Sequence, residues 1–185
     1  MTTVFISGSM QIKNLDTNVR MRIDNIISSG FDVIVGDADG VDASIQSYLC
    51  ERQFNRVVVY CSGQKPRNNI GDWRIQKVCS SYTPGTRAFF TAKDLEMATK
   101  ADYGLMIWDT KSTGTLSNIL ELLAKDKKSL VYVNRVKKFL TVSEIDHLKS
   151  LFFEMSDVAR MKAEQKIGIA NRINAMKYKQ GSLLV

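Results

Sequence analysis

The chain has 185 residues, of which 44% are apolar, with a formal net charge of +7, one histidine and three cysteines. That length gives one domain with room for a real core. The lone histidine and the absence of metal-type cysteine spacing argue against a zinc centre. No apolar run is long enough to span a bilayer and no signal-type segment opens the chain, so a cytoplasmic location with no membrane partner is expected.

Thr2 to Ser7 is rich in β-branched residues and reads as the first strand, followed at once by Gly8-Ser9. Asp16 is placed to cap a helix whose apolar residues Val19, Ile23, Ile26 and Ile27 share a face. Phe31 to Val35 is the second strand, running into Gly36-Asp37-Ala38-Asp39-Gly40-Val41-Asp42. Val41, Ile45, Tyr48 and Leu49 mark the next helical face, and Val57 to Cys61 the third strand. Cys50 and Cys61 sit in apolar surroundings and are expected to be buried thiols. Strands alternating with amphipathic helices imply a parallel sheet with right-handed crossovers.

Ser62 to Phe90 is long and polar, and its length marks it as a covering loop over the sheet edge, with a short helix at Ile75 to Cys79. A helix is expected over Thr91 to Lys100 with Leu95 and Ala98 inward. Tyr103 to Trp108 is nearly all apolar, as a central strand covered on both faces would be. Asp109 to Thr113 forms a polar turn, and Leu116, Ile119, Leu120 and Leu123 form the face of the helix behind it. Leu130 to Val133 is the fifth strand. Thr141-Val142-Ser143-Glu144 has the form of a capping box before Ile145, Leu148 and Phe152. A last helix begins at Ser156 or Asp157, with Val158, Met161, Ile169, Ile173 and Met176 on one side and Gly168 in its middle. The expected architecture is therefore an α/β, Rossmann-like three-layer fold with a five-stranded parallel sheet over residues 1–138. A C-terminal helical extension over 139–185 would serve packing or homo-oligomer formation.

Each strand ends in a glycine-bearing polar turn, and in an open parallel sheet these turns collect on the edge that holds ligands. Four groups lie there. In Asp37, Asp39 and Asp42 the full ligand set of a calcium loop is missing. Asp39 is expected to cap the second helix, Asp42 to occupy its first turn, and Asp37 to accept from a sugar hydroxyl. Arg67-Asn68-Asn69 combines a planar phosphate clamp with amides suited to a base or sugar. Asp94, within Lys93-Asp94-Leu95-Glu96-Met97, points from a helix start towards the edge. In the central turn, Lys111, Ser112 and the Gly114 and Thr115 N–H groups form a phosphate cradle at a helix N-terminus. Asn118 follows one turn on and Glu121 three residues later, where a carboxylate suits glycosidic-bond chemistry.

No nucleophile elbow is present, and neither a G-x-x-x-x-G-K-[ST] run nor a G-x-G-x-x-G run follows the first strand. A P-loop NTPase and a standard dinucleotide dehydrogenase are excluded on that ground, and no cofactor is expected.

The order of Phe5-Ile6-Ser7-Gly8-Ser9, Gly36 to Asp42, Arg67-Asn68-Asn69, and Trp108-Asp109 with Ser112-Thr113-Gly114-Thr115 resembles the SLOG superfamily. That group holds the LOG-type nucleotide phosphoribohydrolases, the YspA-like proteins and SLOG sensor domains. Asp109 to Glu121 is also similar to the nucleoside 2-deoxyribosyltransferases. The resemblance covers about Thr2 to Val133. It implies a nucleotide-like ligand contacted by the backbone of Gly8, Ser9 and Gly36, with phosphate on Gly114-Thr115. The enzymatic members work at the N-glycosidic bond through a glutamate. Here Asn118 stands in the place of that glutamate and Ser112 replaces a glycine, so Glu121, Asp94 or Asp109 would have to act instead.

Two readings stay open. One is an enzyme of the N-glycosidic bond; the other is a nucleotide sensor or scavenger with the same pocket and no chemistry. The tail from Met155 onward holds six basic residues against two acidic ones. Nucleic-acid or acidic-partner binding through this basic helix is the weaker alternative, since no helix-turn-helix or RNA-binding signature accompanies it.

Overall fold

The five apolar runs form strands, and two more polar segments extend the sheet they build. The structure, a computed structural model, describes residues 1–182. The first half contains β1 (Thr3–Gly8), α1 (Thr17–Ser28), β2 (Asp32–Gly36), α2 (Val41–Glu51), β3 (Val57–Cys61), β4 (Arg74–Lys77) and α3 (Arg87–Lys100). The second contains β5 (Tyr103–Trp108), α4 (Thr113–Ala124), β6 (Lys128–Val133), β7 (Lys138–Val142), α5 (Leu148–Phe153), α6 (Asp157–Ile167) and α7 (Ile169–Ser182). The sheet runs β4-β3-β2-β1-β5-β6-β7, parallel throughout except for the β6–β7 pair. The Rossmann-like three-layer architecture holds, with seven strands rather than five. Among the described residues, no helix is long and apolar enough to cross a membrane.

The two added strands correct the sequence reading. Arg74–Lys77 pairs in parallel with β3 and is not part of a covering loop or a short helix. As an edge strand it has no need of an alternating apolar face; Ile75 itself is 38% exposed. Lys138–Val142 folds back on β6, so the segment after residue 138 opens with a strand. The capping-box pattern at Thr141 yields instead to the pairing of Leu140 with Val131 and Val142 with Ser129.

Helix α3 begins earlier than its apolar pattern suggests, because the Thr86 side chain accepts from the Phe89 N–H. Its inward residues are Lys93, Met97 and Ala98, while Leu95 faces out. The last helical stretch is two helices, broken where Gly168 adopts a left-handed φ of 58°. Their buried residues include Ala159, Ala163, Ile169 and Met176, whereas Val158 and Met161 are exposed. Cys50 is exposed and Cys61 buried.

Two apolar layers flank the sheet. Val4, Ile6, Val33, Val35 and Ile107 meet α1 and α2 on one face. Phe5, Met106, Trp108 and Val131 meet α3, α4 and the terminal helices on the other. Each fully buried side chain of this size contributes about 1.5–3 kcal/mol. Because β2 and β5 lie on opposite sides of β1 and their helices pack on opposite faces, the chain order reverses at the β1–β5 pair. The turns after β1 and β5 meet there, beyond the carboxyl ends of the strands, which is where open parallel sheets bind their ligands.

Candidate functional site

The carboxyl edge carries two groups of polar side chains, one at the β1–β5 switch point and one behind β2. At the switch point, Ser9 Oγ donates to Asp109 Oδ2 at 2.7 Å, tying the end of β1 to the turn after β5. Asp109 Oδ1 accepts from the Lys111 and Ser112 N–H groups at 3.0 and 2.6 Å. Asp109 therefore shapes the turn. The same turn holds buried Thr110 in a left-handed conformation, φ 67°, which a β-branched residue adopts only under constraint.

Ser112 caps α4. Its Oγ accepts from the Thr115 N–H at 3.4 Å and from Thr115 Oγ1 at 3.0 Å. The first-turn N–H groups of Thr113 and Gly114 precede any intrahelical acceptor and face outward with the positive end of the helix dipole. Gly114 is exposed, and a Cβ built on it would have only Ser112 Oγ as a neighbour, at 4.0 Å. Lys111 is exposed beside it. Asn118 lies below, buried, donating to Ser7 Oγ at 3.4 Å. Gly8 answers a packing need: a Cβ there would run into the Ile107 carbonyl and Val41.

Behind β2 lies a buried ionic knot. Asp37 accepts from the Arg67 backbone N–H at 3.0 Å, from its Nε at 3.2 Å and from its Nη2 at 2.8 Å. Lys93, 3% exposed, donates to Asp94 at 2.8 Å and lies 3.8 Å from Asp37. Gly36 leaves the room for this, since a Cβ there would overlap Asp42 and Lys93. Burial pushes the Asp42 carboxyl up to about 6, against the pull of Lys93. Its Oδ1 accepts no hydrogen bond from the described residues. Burial also acts to raise Asp37, but the Arg67 hydrogen bonds and the Lys93 charge outweigh it and hold Asp37 below the usual range. Lys93 is raised: the charges of Asp94 and Asp42 overcome the cost of burying its ammonium.

The remaining candidates serve the loops. Asn68 Nδ2 donates to the Asp37 carbonyl and to Asp39 Oδ1. Asn69 closes its own turn through two bonds to the Trp73 backbone. Asp39 does not cap α2; Gly40, at φ 75°, takes that position without a side-chain bond. Glu121 faces away from the edge, held by Arg172 at 3.0 Å and Lys125 at 3.2 Å. A groove of about 680 Å³ adjoins the edge between the loop after β1 and α2. Its cations Lys13 and Arg20 are matched by Asp39 and Glu51, so it presents no net sign to a ligand.

The fold thus unites Ser9, Asp109, Lys111, Ser112, Gly114, Thr115 and Asn118 at one point. It gathers Gly36, Asp37, Asp39, Arg67, Asn68 and Asp94 at a second, and leaves Asn69 and Glu121 outside both. Lys93 is the member the sequence reading did not single out as a site residue. Its spacing of four from Met97 is the signal that places it on the inner face of α3.

Fold and site together define a Rossmann-like α/β protein with a polar turn at the switch point of its sheet. No family model and no curated protein matches the chain. Among solved structures, one of DNA processing protein A from Helicobacter pylori, described for its single-stranded DNA binding mode, superposes with a TM-score of 0.57. The match covers 96% of this chain and 81% of that chain at 15% identity. At that identity the likeness speaks for the fold.

Proposed function

We propose that this protein binds a nucleotide phosphate at the first turn of α4 and does not cleave the ligand. The observation that carries this is an open helix N-terminus whose four candidate catalytic or edge carboxylates are each already held by a partner. Asp109 is held by Ser9 and its own turn, Asp94 by Lys93, Asp37 by Arg67, and Glu121 by Arg172. None of these four stands free as nucleophile or base, and Asp42, whose Oδ1 accepts no hydrogen bond from the described residues, is buried within the ionic knot. The Gly114 turn and Lys111, by contrast, are open to an anion. The resemblance of the motif order to the SLOG superfamily supports a nucleotide as the source of that phosphate, and Asn118 in place of the family's glutamate supports binding without turnover.

A second reading places the phosphate within a single strand of nucleic acid. It is favoured by the fold likeness to a single-stranded-DNA-binding protein and by exposed Lys65, Lys77 and Lys111 along the edge. The test is to incubate the purified chain with nucleoside monophosphates and with a short oligothymidylate, following free base and retained ligand by chromatography. Retention of intact ligand, weakened in Lys111→Ala, is the expected result, and the tighter of the two probes identifies the source. Release of free base that is lost in Glu121→Gln or Asp94→Asn would overturn the proposal.

A further inference from the structure

Arg67 and Phe90 form a stacked pair at the carboxyl edge that neither core uses. The Arg67 guanidinium lies 4.8 Å from the Phe90 ring centroid, and Phe90 meets Phe89 nearly edge-on at 5.4 Å. Neither phenylalanine packs in either apolar layer, and Phe90 is 37% exposed. Aromatic rings left at a wet edge in the first turn of a helix call for a use other than core packing.

Arg67 is unsuited to the phosphate-clamp role its sequence context suggests. Its Nε and Nη2 both donate to Asp37, and the carboxylate balances its charge. What remains available is the plane of the group, on a side chain that is still 38% exposed. A planar cation, fixed by two hydrogen bonds and backed by an aromatic ring, is a surface on which a nucleobase stacks.

We infer that the Arg67–Phe90 pair is a nucleobase platform, so that the ligand is a base-bearing nucleotide unit and not a sugar phosphate or inorganic phosphate. This rests on the phosphate site proposed at α4. The spacing supports the pairing of the two sites. Asp37, which anchors Arg67, follows β2, and the phosphate turn follows β5. These strands are separated only by β1, hence by about 10 Å across the edge. Helices α3 and α4, which start at the platform and at the phosphate turn, pack side by side on one face of the sheet. One nucleotide offers a base at one end and a phosphate at the other across such a gap. Stacking accepts every base, so the platform separates ligands with a base from those without one, and distinguishes little among bases.

The experiment titrates the full chain with adenosine monophosphate, ribose 5-phosphate and inorganic phosphate, and in parallel with a short oligothymidylate and an abasic strand of equal length. The base-bearing member of each set should bind about 10-fold tighter or more. Phe90→Ala should remove most of that ratio while leaving ribose 5-phosphate or abasic-strand affinity unchanged. Phe90→Trp should keep the ratio and show emission quenched on binding, which guards against a variant that has merely lost its fold. A ratio seen only with the strands would assign the platform to single-stranded nucleic acid. Equal affinities with and without a base, or a ratio that survives Phe90→Ala, would overturn the platform and leave the phosphate site standing. Failure of every phosphate compound to bind would overturn both.

Discussion

Glu121 points at Arg172, 3.0 Å away, and not at the edge where its own helix begins. Arg172 also donates to Ser117 Oγ at 2.8 Å, so the contact fastens α7 to α4. Burial lowers the Arg172 pKa and the Glu121 charge opposes that change, as a partner in a half-buried pair should.

Glu121→Gln should therefore destabilise the fold by about 1–2 kcal/mol and leave ligand affinity unchanged. Denaturant midpoints and a binding titration measure the two effects separately. A fall in affinity without loss of stability would return Glu121 to the ligand site.

Gly114→Ala should move stability and binding in opposite directions. The new methyl group meets nothing closer than Ser112 Oγ, so the fold accommodates it. Replacing glycine in a helical turn stabilises by up to about 1 kcal/mol. The same methyl group occupies the space through which a phosphate reaches the N–H groups, so nucleotide affinity should drop. An unchanged affinity would place the ligand away from α4.

Asp109→Ala and Asp109→Asn should behave differently. Alanine removes the acceptor for two backbone N–H groups and for Ser9, and should cost about 1–3 kcal/mol along with most ligand affinity. Asparagine keeps the oxygen that holds Lys111 and Ser112, and its amide can donate to the Ser9 hydroxyl. Its thermal midpoint and affinity should stay close to those of the parent.

Asp42 predicts a pH dependence of definite sign. Its carboxyl titrates near 6 in the folded chain, against 3.8 as the ordinary value. Between these values the folded state holds a proton that the unfolded state has released. This group's contribution to stability therefore falls as pH rises from about 4 to about 6, by on the order of 1–3 kcal/mol. Asp37 does not mask the effect: its pKa is lowered, so its stabilisation is lost only below 3.8. Asp42→Asn should abolish the slope in denaturant midpoints measured across that window, and a slope that persists would assign it to another group.

The sequence made the inner strands legible because each is a continuous apolar run buried on both faces, as Leu105 to Trp108 shows. The edges were not legible in this way. Arg74–Lys77 holds one apolar residue, and nothing in its local pattern reveals that β3 needs a neighbour. At Thr141 a local capping signal met a long-range pairing with β6, and the pairing prevailed. The terminal helices were legible in part: Ile169, Ile173 and Met176 pack as their pattern suggests, but Val158 and Met161 face solvent and the smaller Ala159 and Ala163 pack in their place. The turn before α4, where we propose the phosphate, was readable as a polar strand-to-helix turn from its small polar residues and Gly114. The ionic knot was not, because a lysine is ordinarily a surface residue and only the three-dimensional arrangement surrounds Lys93 with Asp37, Asp42 and Asp94.

The chain has two tryptophans, and both are buried with their indole N–H groups bonded to backbone carbonyls. Trp73, just before β4, donates to the carbonyl of Phe54, just before β3, whereas Trp108 donates to the Ser112 carbonyl at 3.1 Å, inside the turn that caps α4. An anion settling on that turn alters the electric field at one indole and leaves the other nearly untouched. Occupancy of the proposed site should therefore register in the protein's own ultraviolet emission. Trp73→Phe, at the cost of one hydrogen bond and some core packing, would leave Trp108 as the single tryptophan, whose emission should follow the arrival of a ligand without any dye.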